Sequence, residues 1–165
     1  MDKYKEFLRI ARHLNIELNI TPVLFGSLGL SNIIQKNLNS KDTDILVPQK
    51  YITKDWDKLQ KILLKINYQL VDEKEHEFVY LNNRIGIAHE EDLFPFAGVN
   101  HEELKIISDS GTNYKTLDID QYRKVYEKSK NDSYRSQKNN KKDLKKIELI
   151  DNYIKKCQLH HTTPR

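Results

Sequence analysis

A single cysteine among 165 residues, Cys157, rules out an internal disulfide, and its place in a lysine-rich helical pattern suits a reducing compartment, so the cytoplasm is expected. Nowhere does the chain carry the roughly 20 consecutive apolar residues that a membrane span requires. Its opening, MDKYKEFLRIARHLN, has the spacing of an amphipathic helix and lacks the apolar centre of a leader, so no membrane partner is expected. Five Gly and four Pro are too few for a fibrous or low-complexity chain. What is present, 38% hydrophobic and 32% charged residues, describes a globular protein able to bury one ordinary core. The net charge of +4 is spread unevenly, with Lys and Arg gathered in the C-terminal third. Such a gathering fits an anionic partner or a solvated helical face.

Tyr4, Phe7, Leu8, Ala11 and Leu14 recur at helical spacing and predict a first helix. After Thr21-Pro22, the run Val23-Leu24-Phe25 reads as a buried strand that turns at Gly26-Ser27 into a helix reaching about Leu38. Lys41 to Val47 reads as a second strand, closed by Pro48. Thr53 is the expected cap of a helix striped by Trp56, Leu59, Ile62, Leu63 and Ile66. A meander of Tyr68 to Val71, Glu77 to Leu81 and Ile85 to His89 follows, with Asn82-Asn83 as its second turn. From about Asp118 the pattern is helical, near 120–129 and near 142–157, with a polar break at Asn139-Asn140 and a loose tail after 158. Without repeats or linkers, 1–158 reads as one α+β domain, its core in about 1–95 and its helical part in about 115–157.

The chemistry gathers where the first strand hands over to a helix. Glycine lets a ligand approach the backbone at Gly26, the helix start offers free N–H groups, and the Ser27 hydroxyl can bond a phosphate oxygen. Asp42 and Asp44 stand two apart on a predicted strand, so both carboxylates leave one face. Paired hard oxygen ligands of this kind suit Mg²⁺ shared with substrate phosphates. Two other D-x-D pairs read differently: Asp55 and Asp57 open a helix, where acids favour the dipole, and Asp118 and Asp120 precede one, where an N-cap is the simpler role. The six histidines show no zinc-binding spacing.

The segment LFGS, a gap of 14 residues and DTDILV resembles the hG[GS]…[DE]h[DE]h signature of the nucleotidyltransferase superfamily that includes DNA polymerase β. The stretch from Tyr114, with TLDIDQYRKVY and NNKKDLKKIELI, is similar to small bacterial nucleotidyltransferase-like proteins related to lincosamide and aminoglycoside nucleotidyltransferases. The resemblance implies a small mixed or antiparallel sheet with flanking helices and a helical C-terminal part. It also implies transfer of a nucleoside monophosphate from a nucleoside triphosphate to a hydroxyl acceptor, with Gly26 and Ser27 on the triphosphate and Asp42 and Asp44 on Mg²⁺. A third carboxylate is expected on a later strand, but RIGIAHEEDL offers Gly86 and Ala88 there. Glu77 and Glu90 are the two acids that could complete the catalytic set; as ordinary residues both are surface glutamates. If neither does, the alternative is a catalytically silent nucleotide-binding protein of the same fold.

Among the C-terminal cations, Arg135 and Lys142 are the candidates for reaching a triphosphate, since guanidinium forks onto phosphate oxygens. The rest read as a wet face opposite the stripe Leu144, Ile147, Ile150 and Ile154. Tyr114, Tyr122, Tyr126 and Tyr134 interleave with these cations and could stack nucleic-acid bases, yet Tyr122 and Tyr126 are four apart, the spacing of ordinary helix packing. Monomer and homodimer both stay open.

Overall fold

The computed structural model describes residues 1–131 and 133–162, and the side chains of all of these except 133–140 and 160–162. Seven strands form one mixed sheet in the order β3-β4-β5-β2-β1-β7-β6. The strands are β1 (Val23–Phe25), β2 (Asp42–Val47), β3 (Gln69–Asp72), β4 (Glu77–Tyr80), β5 (Asn83–His89), β6 (Lys105–Asp109) and β7 (Thr112–Thr116). The helices are α1 (Lys3–Leu18), α2 (Gly26–Ile34), α3 (Trp56–Lys65), α4 (Leu93–Ala97), α5 (Ile119–Asn131) and α6 (Ser133–Thr162). At the centre, β2 runs antiparallel to β1 and parallel to β5, while β1 runs parallel to β7. Among the described residues no helix is long and apolar enough to cross a membrane.

Alternation along β2 assigns the two faces of the sheet. Ile45 and Val47 join Phe7, Ile10 and Leu14 of α1 and Leu59 and Leu63 of α3 in one core. Leu46, on the other face, joins Leu30 of α2, Leu93 of α4, Tyr122 and Val125 of α5, and Ile147 and Ile150 of α6 in a second. Asp42 and Asp44 share Leu46's face, so they open under the layer made by α2, α4, α5 and α6. The amphipathic start is α1, capped by Asp2, whose carboxylate accepts from the Lys5 N–H, and closed by Asn19 in the left-handed region.

Several boundaries depart from the sequence pattern. The helix α2 stops at Ile34, where Gln35 turns left-handed, and does not reach Leu38. Thr53 lies before Asp55, the residue that precedes α3, and its hydroxyl donates back to the Gln49 carbonyl instead of capping the helix. The turn between β4 and β5 is Leu81-Asn82, not Asn82-Asn83, because Asn83 is drawn into the buried sheet by its amide bond to the Tyr68 hydroxyl at 2.8 Å. The hairpin β6-β7 has no counterpart in the sequence reading; its turn, Ser110-Gly111, has both residues at positive φ. No break interrupts α6 at Asn139-Asn140: with neither Gly nor Pro from 133 to 162, nothing there ends a helix. That helix runs through Thr162, beyond the expected end near 157.

Candidate active site

Gly26 closes β1 and opens α2 at φ +69, a conformation that favours glycine. Space demands glycine as well, since a Cβ there would lie 2.3 Å from Asp44 Oδ2. The Asp44 carboxylate is therefore seated against the backbone of the strand-to-helix turn, held by the register that sets Phe25 opposite Asp44. Beside it, the Ser27 hydroxyl hydrogen-bonds Ser40 at 2.6 Å. Farther along α2, a Cβ at Gly29 would meet the Tyr122 hydroxyl at 2.0 Å and the Leu24 carbonyl at 2.8 Å, so this glycine permits the close approach of α2 to β1 and α5. Asp42 and Asp44 are exposed on one face of β2, while Thr43 between them is buried toward the other.

Two cavities meet at this pair of aspartates. One, of about 540 Å³, runs from Phe25, Gly26 and Leu46 to Asp92, Leu93 and Phe96 on one wall and Tyr126, Ser129 and Asp143 on another. The second, of about 650 Å³, is lined by Ser27 and Lys36 to Lys41 from the segment after α2, and by Lys145 and Leu149 of α6. Both include Asp42, Asp44, Lys142 and Lys146. The second cavity thus carries five lysines (Lys36, Lys41, Lys142, Lys145 and Lys146), whereas the first adds two further carboxylates, Asp92 and Asp143.

The helical hairpin supplies the roof. Lys146 is half-buried, its ammonium 5.1 Å from the centre of the Tyr126 ring. Burial lowers its pKa, a shift opposed by the nearby charges of Asp143 and Asp44 and reinforced by Lys142. Burial raises the Tyr126 hydroxyl far above the ordinary tyrosine range, with Asp44 and Asp143 adding to it. Asp143 is only 5% exposed, and one of its oxygens accepts a hydrogen bond from Ser129 at 2.9 Å.

The acids proposed for the third position lie apart from the pair. On β5, Gly86 stands directly opposite Asp44, and a Cβ there would be 3.6 Å from Asp44 Oδ1, an ordinary contact distance. No acid occupies that place. Glu77 is one strand farther out, opposite Gly86, and is ion-paired with Arg84 at 2.5 Å. Glu90 is buried away from both cavities, held by Lys115 at 2.9 Å and His101 at 3.4 Å. Lys142 lines both cavities; Arg135 lies outside the residues whose side chains are described. The other two D-x-D pairs are elsewhere: Asp55 is paired with Lys50 and Lys58, and Asp118 and Gln121 bond each other's backbone N–H at the start of α5.

Sequence reasoning missed Asp143 and Lys146. It assigned Leu144 to the buried stripe of the last helix, but Leu144 is 46% exposed and Asp143 takes the inward place with Ile147 and Ile150. Positions 143, 147, 150 and 154 fall four, three and four apart, so a carboxylate on an apolar helical stripe was the available signal.

The chain is 43% identical over 155 residues to "Uncharacterized protein YnaI" of Bacillus subtilis (strain 168), a match covering 94% of this chain and 99% of the relative. In structure it is similar to ANT(2")-Ia in complex with adenylyl-2"-tobramycin, with a TM-score of 0.60 over 93% of this chain and 90% of that one at 10% sequence identity. That likeness establishes a nucleotidyltransferase-type α+β fold. No protein-family model matches the chain.

Proposed function

For a chain that belongs to one family with the YnaI protein of Bacillus subtilis, we propose nucleotidyl transfer: a nucleoside monophosphate passes from a nucleoside triphosphate to a hydroxyl acceptor at Asp42 and Asp44. The observation that carries this reading is the meeting of two differently charged cavities at the two carboxylates, seated against a glycine at a helix start. Triphosphate would lie on the lysine-lined side, where Ser27 in the first turn of α2 and Lys142 line the cavity. The acceptor would enter from the side of Asp92, Phe96 and Tyr126. The fold relative's complex with an adenylylated small molecule agrees with this reaction class and does not by itself identify the acceptor here.

The donor set fits Mg²⁺. Two exposed carboxylates share one face of β2, and among the described residues no three His, Cys, Asp or Glu side chains converge on one point. Two hard protein ligands with the remaining positions left to water and phosphate oxygens is the arrangement this ion accepts, whereas structural zinc sites want four N or S donors. Asp42 and Asp44 would hold it. Bound there, the ion would neutralise charge developing on the transferred phosphoryl group. The protein's own work would be to align the triphosphate along the lysines.

A second reading, a silent nucleotide-binding protein, is favoured by Gly86, which leaves the place opposite Asp44 without an acid. Calorimetry with ATP, GTP, CTP and UTP, with and without Mg²⁺, tests the shared premise. Mg²⁺-dependent binding to the wild type that disappears in Asp42→Asn/Asp44→Asn is expected. A protein that binds none of the four nucleotides refutes both readings, and binding without pyrophosphate release with any acceptor favours the silent one.

A further inference from the structure

We propose that Asp143, delivered by α6 and not by the sheet, is the catalytic base that takes the acceptor's hydroxyl proton, an inference that rests on the nucleotidyl-transfer reading above. The sheet leaves a vacancy for it: Gly86 faces Asp44 without a carboxylate, Glu77 is tied to Arg84, and Glu90 is tied to Lys115 and His101. Asp143 lines the same cavity as Asp42 and Asp44, on the side away from the lysines of the segment after α2. That is the side from which a nucleophile must come if the triphosphate lies along those lysines, because attack and departure at phosphorus are in line.

Three features separate Asp143 from a surface carboxylate. It is nine-tenths buried, on a stripe otherwise made of isoleucines. The Ser129 hydroxyl fixes one of its oxygens at 2.9 Å, while among the described residues the other oxygen receives no hydrogen bond and is left to accept a proton. Asp143 and Asp44 also both act electrostatically on Tyr126 and on Lys146, as expected of two carboxylates facing one space. A purely structural aspartate would be satisfied by joining α5 to α6 through Ser129; it would have no need to face the cavity.

In the step, the acceptor O–H bond breaks and its proton passes to Asp143. The acceptor oxygen forms a bond to the α-phosphorus, the bond from the α-phosphorus to the bridging oxygen breaks, and pyrophosphate leaves with that electron pair. The proton is later lost to solvent. Lys146, which lines both cavities, would face the α-phosphate between the entering and leaving groups.

The test uses the full chain with each of the four nucleoside triphosphates and Mg²⁺ and no added acceptor, so that water in the cavity is the hydroxyl and released pyrophosphate is the readout. In Asp143→Asn, which keeps the shape and can still accept from Ser129, kcat should fall by about 100-fold or more, the contribution ordinarily made by a positioned base. Nucleotide KM and the calorimetric Kd should stay within about twofold of wild type, since only a transition-state interaction is removed. Asp143→Glu should recover part of the rate, and the thermal midpoints of the variants should match the wild type. The inference is overturned if Asp143→Asn retains wild-type kcat, if the variant loses binding and stability together, or if the wild type binds nucleotide and releases no pyrophosphate. A wild type that binds no nucleotide overturns the nucleotidyl-transfer reading itself.

Discussion

Position 26 is where local geometry and chemistry meet most tightly. Gly26→Ala would place a methyl group 2.3 Å from Asp44 Oδ2 in a backbone conformation that alanine resists, so both the turn and the carboxylate must shift. Strain of this kind costs about 1–3 kcal/mol. Urea denaturation should show that loss, and nucleotide binding should weaken along with it; a variant with wild-type midpoint and binding would refute the tight seat. Position 86 makes the opposite prediction. Gly86→Asp would put its Cβ at an ordinary 3.6 Å from Asp44 Oδ1, so there is room, but a third carboxylate joins two others. Like charges at one site disfavour ionisation. The variant should therefore be less stable than wild type without Mg²⁺ and should gain more thermal stability than wild type when Mg²⁺ is added, because a ligand that binds only the folded state stabilises it. Equal Mg²⁺ dependence in the two proteins would argue that Asp42 and Asp44 are not metal ligands.

At the scale of elements, α6 carries the tension between stability and function. Lys146 is held half-buried against Tyr126 with its pKa lowered, chiefly by burial. For a base, a folded-state pKa below the unfolded value means that the folded state disfavours the charged form. The resulting cost is fully present at neutral pH and fades as pH rises through the lowered value toward the ordinary lysine value. Lys146→Met should thus raise the thermal midpoint at pH 7, with the gain shrinking in alkaline buffer, while on the proposed function nucleotide affinity should drop by about tenfold with the loss of one cation lining both cavities. A fall in midpoint would show that the ion's neighbours Asp143 and Asp44 outweigh its burial. The same helix shows how an element can be found and its working face missed. Its apolar period was legible, but the choice between Leu144 and Asp143 as the inward residue depends on how α6 is rotated against α5 and the sheet.

Across the whole molecule, tyrosines knit each of the two cores. Tyr68 bridges Glu6 of α1 and Asn83 of β5, Tyr4 joins Asp109 and Tyr114, and Tyr122 and Tyr126 stack beneath the site. Burial is the first cause raising the pKa of Tyr4, Tyr68, Tyr122 and Tyr126 above the ordinary value of 10.0. An acid raised in the folded state contributes stability that is present below its unfolded pKa and lost as pH climbs above it. Stability should therefore decline from about pH 10 upward, the range in which unfolded tyrosines ionise. Tyrosinate absorbance for these residues should appear together with the loss of helical circular dichroism. Ionisation of all nine tyrosines at pH 10 with the helices intact would contradict this.

Much of the fold was legible because it follows from local periods. The 3.6-residue stripe of α1, the strand that ends at Gly26-Ser27, and the alternation that puts Asp42 and Asp44 on one face of β2 are properties of neighbouring residues. The hairpin β6-β7 was available too, in the Ser110-Gly111 turn, but its strands lack a clean alternation and Ile106 faces solvent. What the chain alone could not settle was which distant residues share the carboxylates' space. That Gly86 lies opposite Asp44 depends on the register of β5 against β2, where a slip of one residue would turn Ile87 toward the site. That Glu90 is locked by Lys115 depends on contact across a separation of 25 residues. And that Asp143 and Lys146 line one cavity with Gly26, Asp42 and Asp44 depends on closure of the helical hairpin over the sheet. Sequence determined the turn at Gly26-Ser27 and the shared face of Asp42 and Asp44; only tertiary packing decided which residues lie beside them, because a helix's buried face is chosen by the surface it meets and not by its own spacing alone.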